Sequence, residues 1–254
     1  MSPADAPAAD GLVLVVDIGN SGAKLGAVRG EDVAGPVRLP AADAKSVRAL
    51  AEPMLKGQQA LVAICGSHPD KARDLAWELS KSRLGEIVAL ETNHPGVPWP
   101  KVAQPERAGM DRRVQCLAAR HLAGGPAAVV SCGTAITVDL CDGDGALVGG
   151  AILPGLTLGM KALAAGTALL PEVVLEGPVA MPARDTETAL RTGLVLGAAG
   201  AVERLLLAAG VSAELPLYLT GQDAKVLAAH LGRPHRLHPG LGLLGIARAA
   251  RHGR

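Results

Sequence analysis

One pattern occurs twice in this 254-residue chain and limits what it can fold into. An apolar strand ends on a short polar residue, turns on glycine, and is followed at once by a second strand. In the first copy, Leu12 to Val16 is a continuous apolar run, enough for a strand buried on both faces, and it ends on Asp17. Ile18-Gly19-Asn20-Ser21-Gly22 is the turn, and Lys24 to Val28 is the returning strand. In the second copy, Ala127 to Val130 runs into Ser131-Cys132-Gly133-Thr134, and Ala135 to Cys141 returns. Each pair has a third strand behind it, at Asp32 to Leu39 and at Ala146 to Leu153. Two such halves predict an internal duplication.

The remaining periodicity fills in each half. Helices are expected at Asp43 to Lys56 and at Pro69 to Ser82, the latter with proline in its first turn. They alternate with strands at Ala60 to Ile64 and Glu86 to Leu90. Glu91 to Pro105 holds four prolines and no periodicity, which marks a loop between halves. Beyond it, helices are expected at Asp111 to Ala123, Thr157 to Ala165, Thr186 to Ala209, Gln222 to Leu231 and Leu241 to Arg251, with one strand at Leu215 to Thr220. The expected organisation is a short disordered tail over 1–11, one domain over 12–105 and a second over 106–254. Two such domains facing each other would place both glycine turns in one central cleft. That is the α/β architecture of the actin-like, ribonuclease H-like superfamily of acetate kinase, sugar kinases, Hsp70 and actin.

Composition excludes several classes. The net charge is +1 and the chain has no Phe, one Tyr and two Trp, so neither a basic nucleic-acid surface nor a base-stacking platform is available. No apolar run reaches the ~18 residues of a membrane span, and the N-terminal segment lacks signal-peptide anatomy, so a cytoplasmic location is expected. Cys65, Cys116, Cys132 and Cys141 form no CxxC pair, which suits reduced thiols. His235 and His238 have HxxH spacing without further ligands and read as a surface loop.

Four segments bear on the chemistry. An Asp followed by a glycine-rich turn can hold Mg²⁺ while the backbone approaches phosphate, although a plain hairpin turn has the same appearance. Pro105 to Arg112 places Asp111 and Arg112 at a helix start; Asp there is either a dipole-favoured cap or a general base. Thr134 offers a hydroxyl to phosphate, or is simply a hairpin residue. Gly149 to Gly155 is a glycine-proline junction entering a helix.

In this order the segments resemble the type III pantothenate kinases. The family pattern D-[IV]-G-N-[TS]-x-x-K matches Asp17 to Lys24, P-x-x-x-G-x-D-R matches Pro105 to Arg112, and G-T-A-x-T-x-D matches Gly133 to Asp139. Gly149 to Gly155, Leu170-Pro171, Thr186 to Gly193 and Thr220-Gly221 extend the resemblance over nearly the whole chain. It implies ATP-dependent phosphorylation of pantothenate, the first step of coenzyme A synthesis, by a homodimer. Asp17 would hold Mg²⁺ and phosphate, with Ile18, Gly19, Asn20, Ser21 and Lys24 in the ATP segment and Gly133 and Thr134 as a second ATP contact. Gly109, Met110, Arg112 and Thr186 would bind pantothenate, with Asp111 as proton acceptor.

The chain departs from the pattern at three places. Ser131 stands where the family has an Asp associated with a monovalent cation, K⁺ or NH₄⁺, which removes a full charge from that position. Val102 replaces a Tyr, and Thr220-Gly221-Gln222 replaces Thr-Gly-Gly. These changes keep open a non-catalytic, regulatory relative and a kinase for another small hydroxylated acid. The joint presence of Asp17, Lys24 and Asp111 favours the pantothenate kinase.

Overall fold

A computed structural model describes residues 11–19, 22–67 and 69–253. Residues 1–10 of the tail expected over 1–11, and Asn20, Ser21, His68 and Arg254, lie outside the described residues. Two five-stranded mixed sheets form, each flanked by helices.

The first sheet is built from β1 (Val13–Gly19), β2 (Gly22–Arg29), β3 (Asp32–Arg38), β4 (Leu61–Gly66) and β5 (Ile87–Ala89), in the order β3-β2-β1-β4-β5. β1 is antiparallel to β2 and parallel to β4. The second sheet is built from β6 (Ala127–Cys132), β7 (Ala135–Cys141), β8 (Leu147–Pro154), β9 (Leu217–Thr220) and β10 (Arg236–Leu237). Its order, β8-β7-β6-β9-β10, repeats the first, with the same antiparallel and parallel pairings. The duplication expected from sequence is therefore one of topology. The strands run further into the turn than the apolar runs imply: β1 continues to Gly19, which places Asp17 within the strand.

Helices cover the sheets where their apolar faces dictate. In α1 (Ala44–Leu55), Val47, Ala51 and Leu55 are buried, and the Asp43 side chain accepts from the Ser46 N–H at 2.7 Å to cap the first turn. In α2 (Pro69–Ser80), Ala72, Leu75 and Leu79 are buried, and both helices pack on the face of Leu14, Val16 and Ile18. α3 (Met110–Ala123) follows a single 3-10 turn at Pro105–Arg107. α4 (Leu156–Gly166) and the long α5 (Thr186–Ala208, capped by Asp185) lie on the second sheet, over Val130, Ile136 and Leu219. α6 (Ala224–Ala228) is short, and α7 (Leu241–His252) closes the described chain.

By Cα proximity, one compact unit runs to Ala118 and takes in the chain from Gly240 onward, and the other spans Ala119–Pro239. α7 accordingly packs on β1, β2 and β4. Among the described residues no helix is long and apolar enough to cross a membrane.

Candidate active site

In the first unit, strand register assembles the chemistry. Asp17 lies directly opposite Lys24 of β2 and, on its other side, opposite Cys65 of β4. Directly opposed residues project from the same face, so carboxylate, ammonium and thiol share one surface of the sheet. Burial pushes the Asp17 carboxyl up to about 6; the Lys24 charge pulls it down and the Asp111 charge pushes it up further. Asp17 and Asp111 are thus near enough to repel. Burial, then Asp17 and Asp111, raise the Cys65 thiol well above its ordinary range, which keeps it protonated. Ser67 anchors the end of β4 to the end of β1, both its N–H (3.0 Å) and its hydroxyl (3.2 Å) donating to the Ile18 carbonyl.

Asp111 stands in the first turn of α3, where the helix dipole favours a carboxylate. A Cβ on Gly109 would lie 2.4 Å from Asp111 Oδ1, so the carboxylate folds back over Gly109 and a side chain there would have to displace it. Two residues on, Arg113 is 1 % exposed. Its guanidinium donates to the carbonyls of Thr92 (2.6 Å), Pro98 (3.3 Å) and Val97 (3.4 Å) and lies 5.3 Å from the Trp99 ring centroid. Burying that cation is costly, and its Nη1 and Nη2 donors offset part of that cost by fastening the proline-rich loop onto the helix that carries Asp111. Burial lowers the Arg113 pKa accordingly.

The second unit has the same register with different side chains. Ser131 lies opposite Thr137 of β7 and Thr220 of β9. The Thr137 hydroxyl donates to Asp139 at 2.7 Å, and Asp139 is fully buried. Around the end of β6 three backbone segments meet. A Cβ on Gly155 would come within 2.2 Å of the Gly133 carbonyl oxygen, and one on Gly221 within 2.2 Å of the Cys132 carbonyl oxygen. Both positions therefore require glycine. Gly155 gives α4 no side-chain cap; instead the Asp223 carboxylate sits beside its first turn, 3.5 Å from Thr157 Oγ1. Burial raises the Asp223 pKa against the lowering by that hydrogen bond, and burial with Asp223 pushes the Cys132 thiol up to about 12.

The family profile of type III pantothenate kinase matches residues 13–208. The chain is 31% identical over 244 residues to the type III pantothenate kinase of Frankia alni, covering 92% of this chain and 97% of the relative. This chain belongs to the type III pantothenate kinase family. The family's enzyme from Dechloromonas aromatica is 41% identical over 146 residues, 58% of this chain and 60% of the relative. Among solved structures, a Baf-family protein from Campylobacter jejuni aligns with a TM-score of 0.60 at 20% identity, covering 93% of this chain and 96% of that one. The ROK hexokinase from Thermus thermophilus aligns with a TM-score of 0.50 at 16% identity, covering 94% and 98%. Those likenesses concern fold, and the fold is the actin-like one expected from the sequence.

Of the residues singled out in the sequence, Asp17, Gly19, Lys24, Gly109, Met110, Asp111 and Arg112 all belong to the first unit. Ile18 is buried in its core, which leaves only its backbone to a ligand. Ser131, Gly133, Thr134 and Thr186 belong to the second unit, with Thr134 exposed at its turn and Thr186 exposed at the start of α5. Sequence reasoning gave no site role to Cys65, Ser67, Arg113 or Asp223, whose neighbours in the site lie on other elements of the fold.

A divalent ion fits the first unit. Mg²⁺ in phosphoryl-transfer sites needs only one or two carboxylates, the rest of its shell being water and substrate phosphates. Asp17, its carboxyl raised to about 6 by burial with the Lys24 ammonium opposite, is one carboxylate of the kind such a shell uses.

Proposed function

We propose that this chain transfers the γ-phosphate of ATP to the primary hydroxyl of pantothenate, giving 4'-phosphopantothenate and ADP. The carrying observation is Asp17 opposite Lys24 and within electrostatic reach of Asp111, in a chain of this family. Asp17 would hold Mg²⁺, which when bound neutralises phosphate charge. Lys24 and the backbone at Gly19, with Asn20 and Ser21 by family pattern, take the polyphosphate. Gly133 and Thr134 give a second nucleotide contact, set beside the glycine-lined end of β6.

Pantothenate is assigned to Gly109, Met110, Arg112 and Thr186, with Arg112 attracting its carboxylate. Asp111 accepts the hydroxyl proton as the oxygen bonds to the γ-phosphorus and the bond to the ADP oxygen breaks. Catalysis is then positioning and charge neutralisation. A non-catalytic relative would have no use for Asp111, so that alternative is set aside.

Three finer readings go with this. The two units are the two actin-like domains, built on β1–β5 and β6–β10. Ser131, a neutral hydroxyl among Thr137 and Thr220, binds K⁺ or NH₄⁺ more weakly than a carboxylate would. The protein works as a cytoplasmic homodimer; the support is apolar exposure in the second unit, at Val148 and Ile152 of β8, Leu158 and Leu163 of α4 and Leu196 of α5.

The test is ADP release from MgATP with and without pantothenate in Na⁺, K⁺ and NH₄⁺ buffers. Pantothenate-dependent release in all three, with modest K⁺ stimulation, is expected. Folded protein that binds ATP yet releases no ADP with pantothenate in any buffer overturns the assignment.

A further inference from the structure

The charged row of the first sheet extends one strand further. Arg38 of β3 lies directly opposite Lys24, as Lys24 lies opposite Asp17. By the same rule of pairing, guanidinium, ammonium and carboxylate stand on one face of three adjacent strands. Exposure grows along the row, with Asp17 and Lys24 partly covered and Arg38 exposed. The guanidinium does not simply trail into solvent. Gly22, the last residue of the glycine turn, has φ 124°, and a Cβ there would lie 3.3 Å from Nη2, 3.6 Å from Nε and 3.7 Å from Cζ of Arg38. Arg38 therefore rests against the turn assigned to the polyphosphate.

β3 is an edge strand of the first sheet. Its other residues are exposed or partly covered, and none belongs to the buried core. A cation on an edge strand is often only a guard against edge-to-edge pairing. Such a guard has no need to lie in register with Lys24 or against Gly22. The matching position of the second sheet, opposite Thr137, is Ile152, so the cation is not a requirement of the scaffold.

We propose that Arg38 is a nucleotide-binding residue whose guanidinium contacts phosphate oxygens of ATP, outward of Lys24. A planar fork suits two phosphate oxygens at once and is charged at every working pH. The inference rests on the ATP-dependent reading of this site and adds a residue to it.

The test compares wild type, Arg38→Gln and Arg38→Lys by calorimetric titration with MgATP and with adenosine, alongside kcat and KM for both substrates. Arg38→Gln is expected to weaken MgATP binding about tenfold, the worth of one good charged contact. Adenosine affinity, KM for pantothenate and thermal midpoint stay at wild-type values. Arg38→Lys recovers part of the loss, and the dependence of MgATP affinity on salt is shallower in Arg38→Gln. Wild-type MgATP affinity in Arg38→Gln overturns the assignment, and so does an equal loss for adenosine. Wild-type protein that binds MgATP without phosphorylating pantothenate would sink the kinase reading while leaving Arg38 judged on binding. Wild-type protein that fails to bind MgATP would overturn both.

Discussion

The two sheets share strand order, pairing and register, yet corresponding rows carry opposite chemistry. Across the first run Arg38, Lys24, Asp17 and Cys65. Across the second run Ile152, Thr137, Ser131 and Thr220. Three formal charges in one unit are matched by two hydroxyls and an isoleucine in the other. The repeated topology is therefore a scaffold that presents four side chains in a row beside a glycine turn, and only the first copy carries formal charges in that row. The second copy contributes hydroxyls, backbone and, at its outer end, an apolar side chain that is 66 % exposed.

The comparison can be broken most severely at the residue that only the first unit has. Asp111→Asn should lower kcat at least a thousandfold, within the range of a lost general base, while calorimetry shows unchanged MgATP affinity. A wild-type rate would remove Asp111 from that role.

Next in size is the charge on Asp17. Its native pKa of about 6 lies above the ordinary 3.8, so the native state holds a proton that the unfolded chain has released between those values. The contribution of Asp17 to the stability of the metal-free protein is fully present below about pH 4 and is lost as pH rises through about 6, a change on the order of 3 kcal/mol. Asp17→Asn should abolish that part of the slope and exceed wild type in urea midpoint at pH 8, measured in chelator. Parallel pH profiles for the two proteins would show that the carboxylate is not held up by burial.

At the outer ends of the rows, Ile152→Glu should weaken self-association tenfold or more by sedimentation, since it puts a charge on the exposed apolar face of β8 that the proposed homodimer would cover. An unchanged dissociation constant would remove β8 from that proposed surface. The smallest effect sharpens the comparison: Ser131→Asp, which makes the second row resemble the first, should raise stimulation by K⁺ or NH₄⁺ several-fold. No change in cation response would remove Ser131 from a cation site.

Much of this was legible in the sequence, for identifiable reasons. The apolar runs before Asp17 and Ser131 marked β1 and β6, and helix starts were marked by Asp43 and Pro69. The duplicated turn gave the actin-like class. Register was not legible. A bulge shifts the pairing of β2 with β3 between Leu25 and Ala27, so counting residues back from the hairpin does not bring Arg38 opposite Lys24. The loop after Glu91 looked irregular because its order comes from Arg113, a residue on another element whose burial no local pattern announces. The apolar periodicity of α7 shows that it packs, but not that its partner is the first sheet. β10, two residues long, has no period to detect.

That return of α7 makes the first unit discontinuous in the chain. Arg251 donates to the carbonyls of Gly11 (2.6 Å) and Val28 (3.5 Å), tying residues separated by more than two hundred positions. Closure over so long a span is entropically slow, and during synthesis the first sheet must wait, one face bare, until residues 241–252 have left the ribosome. The second unit, made of contiguous chain, can complete itself earlier. The half that carries the charges is thus the later of the two to become whole.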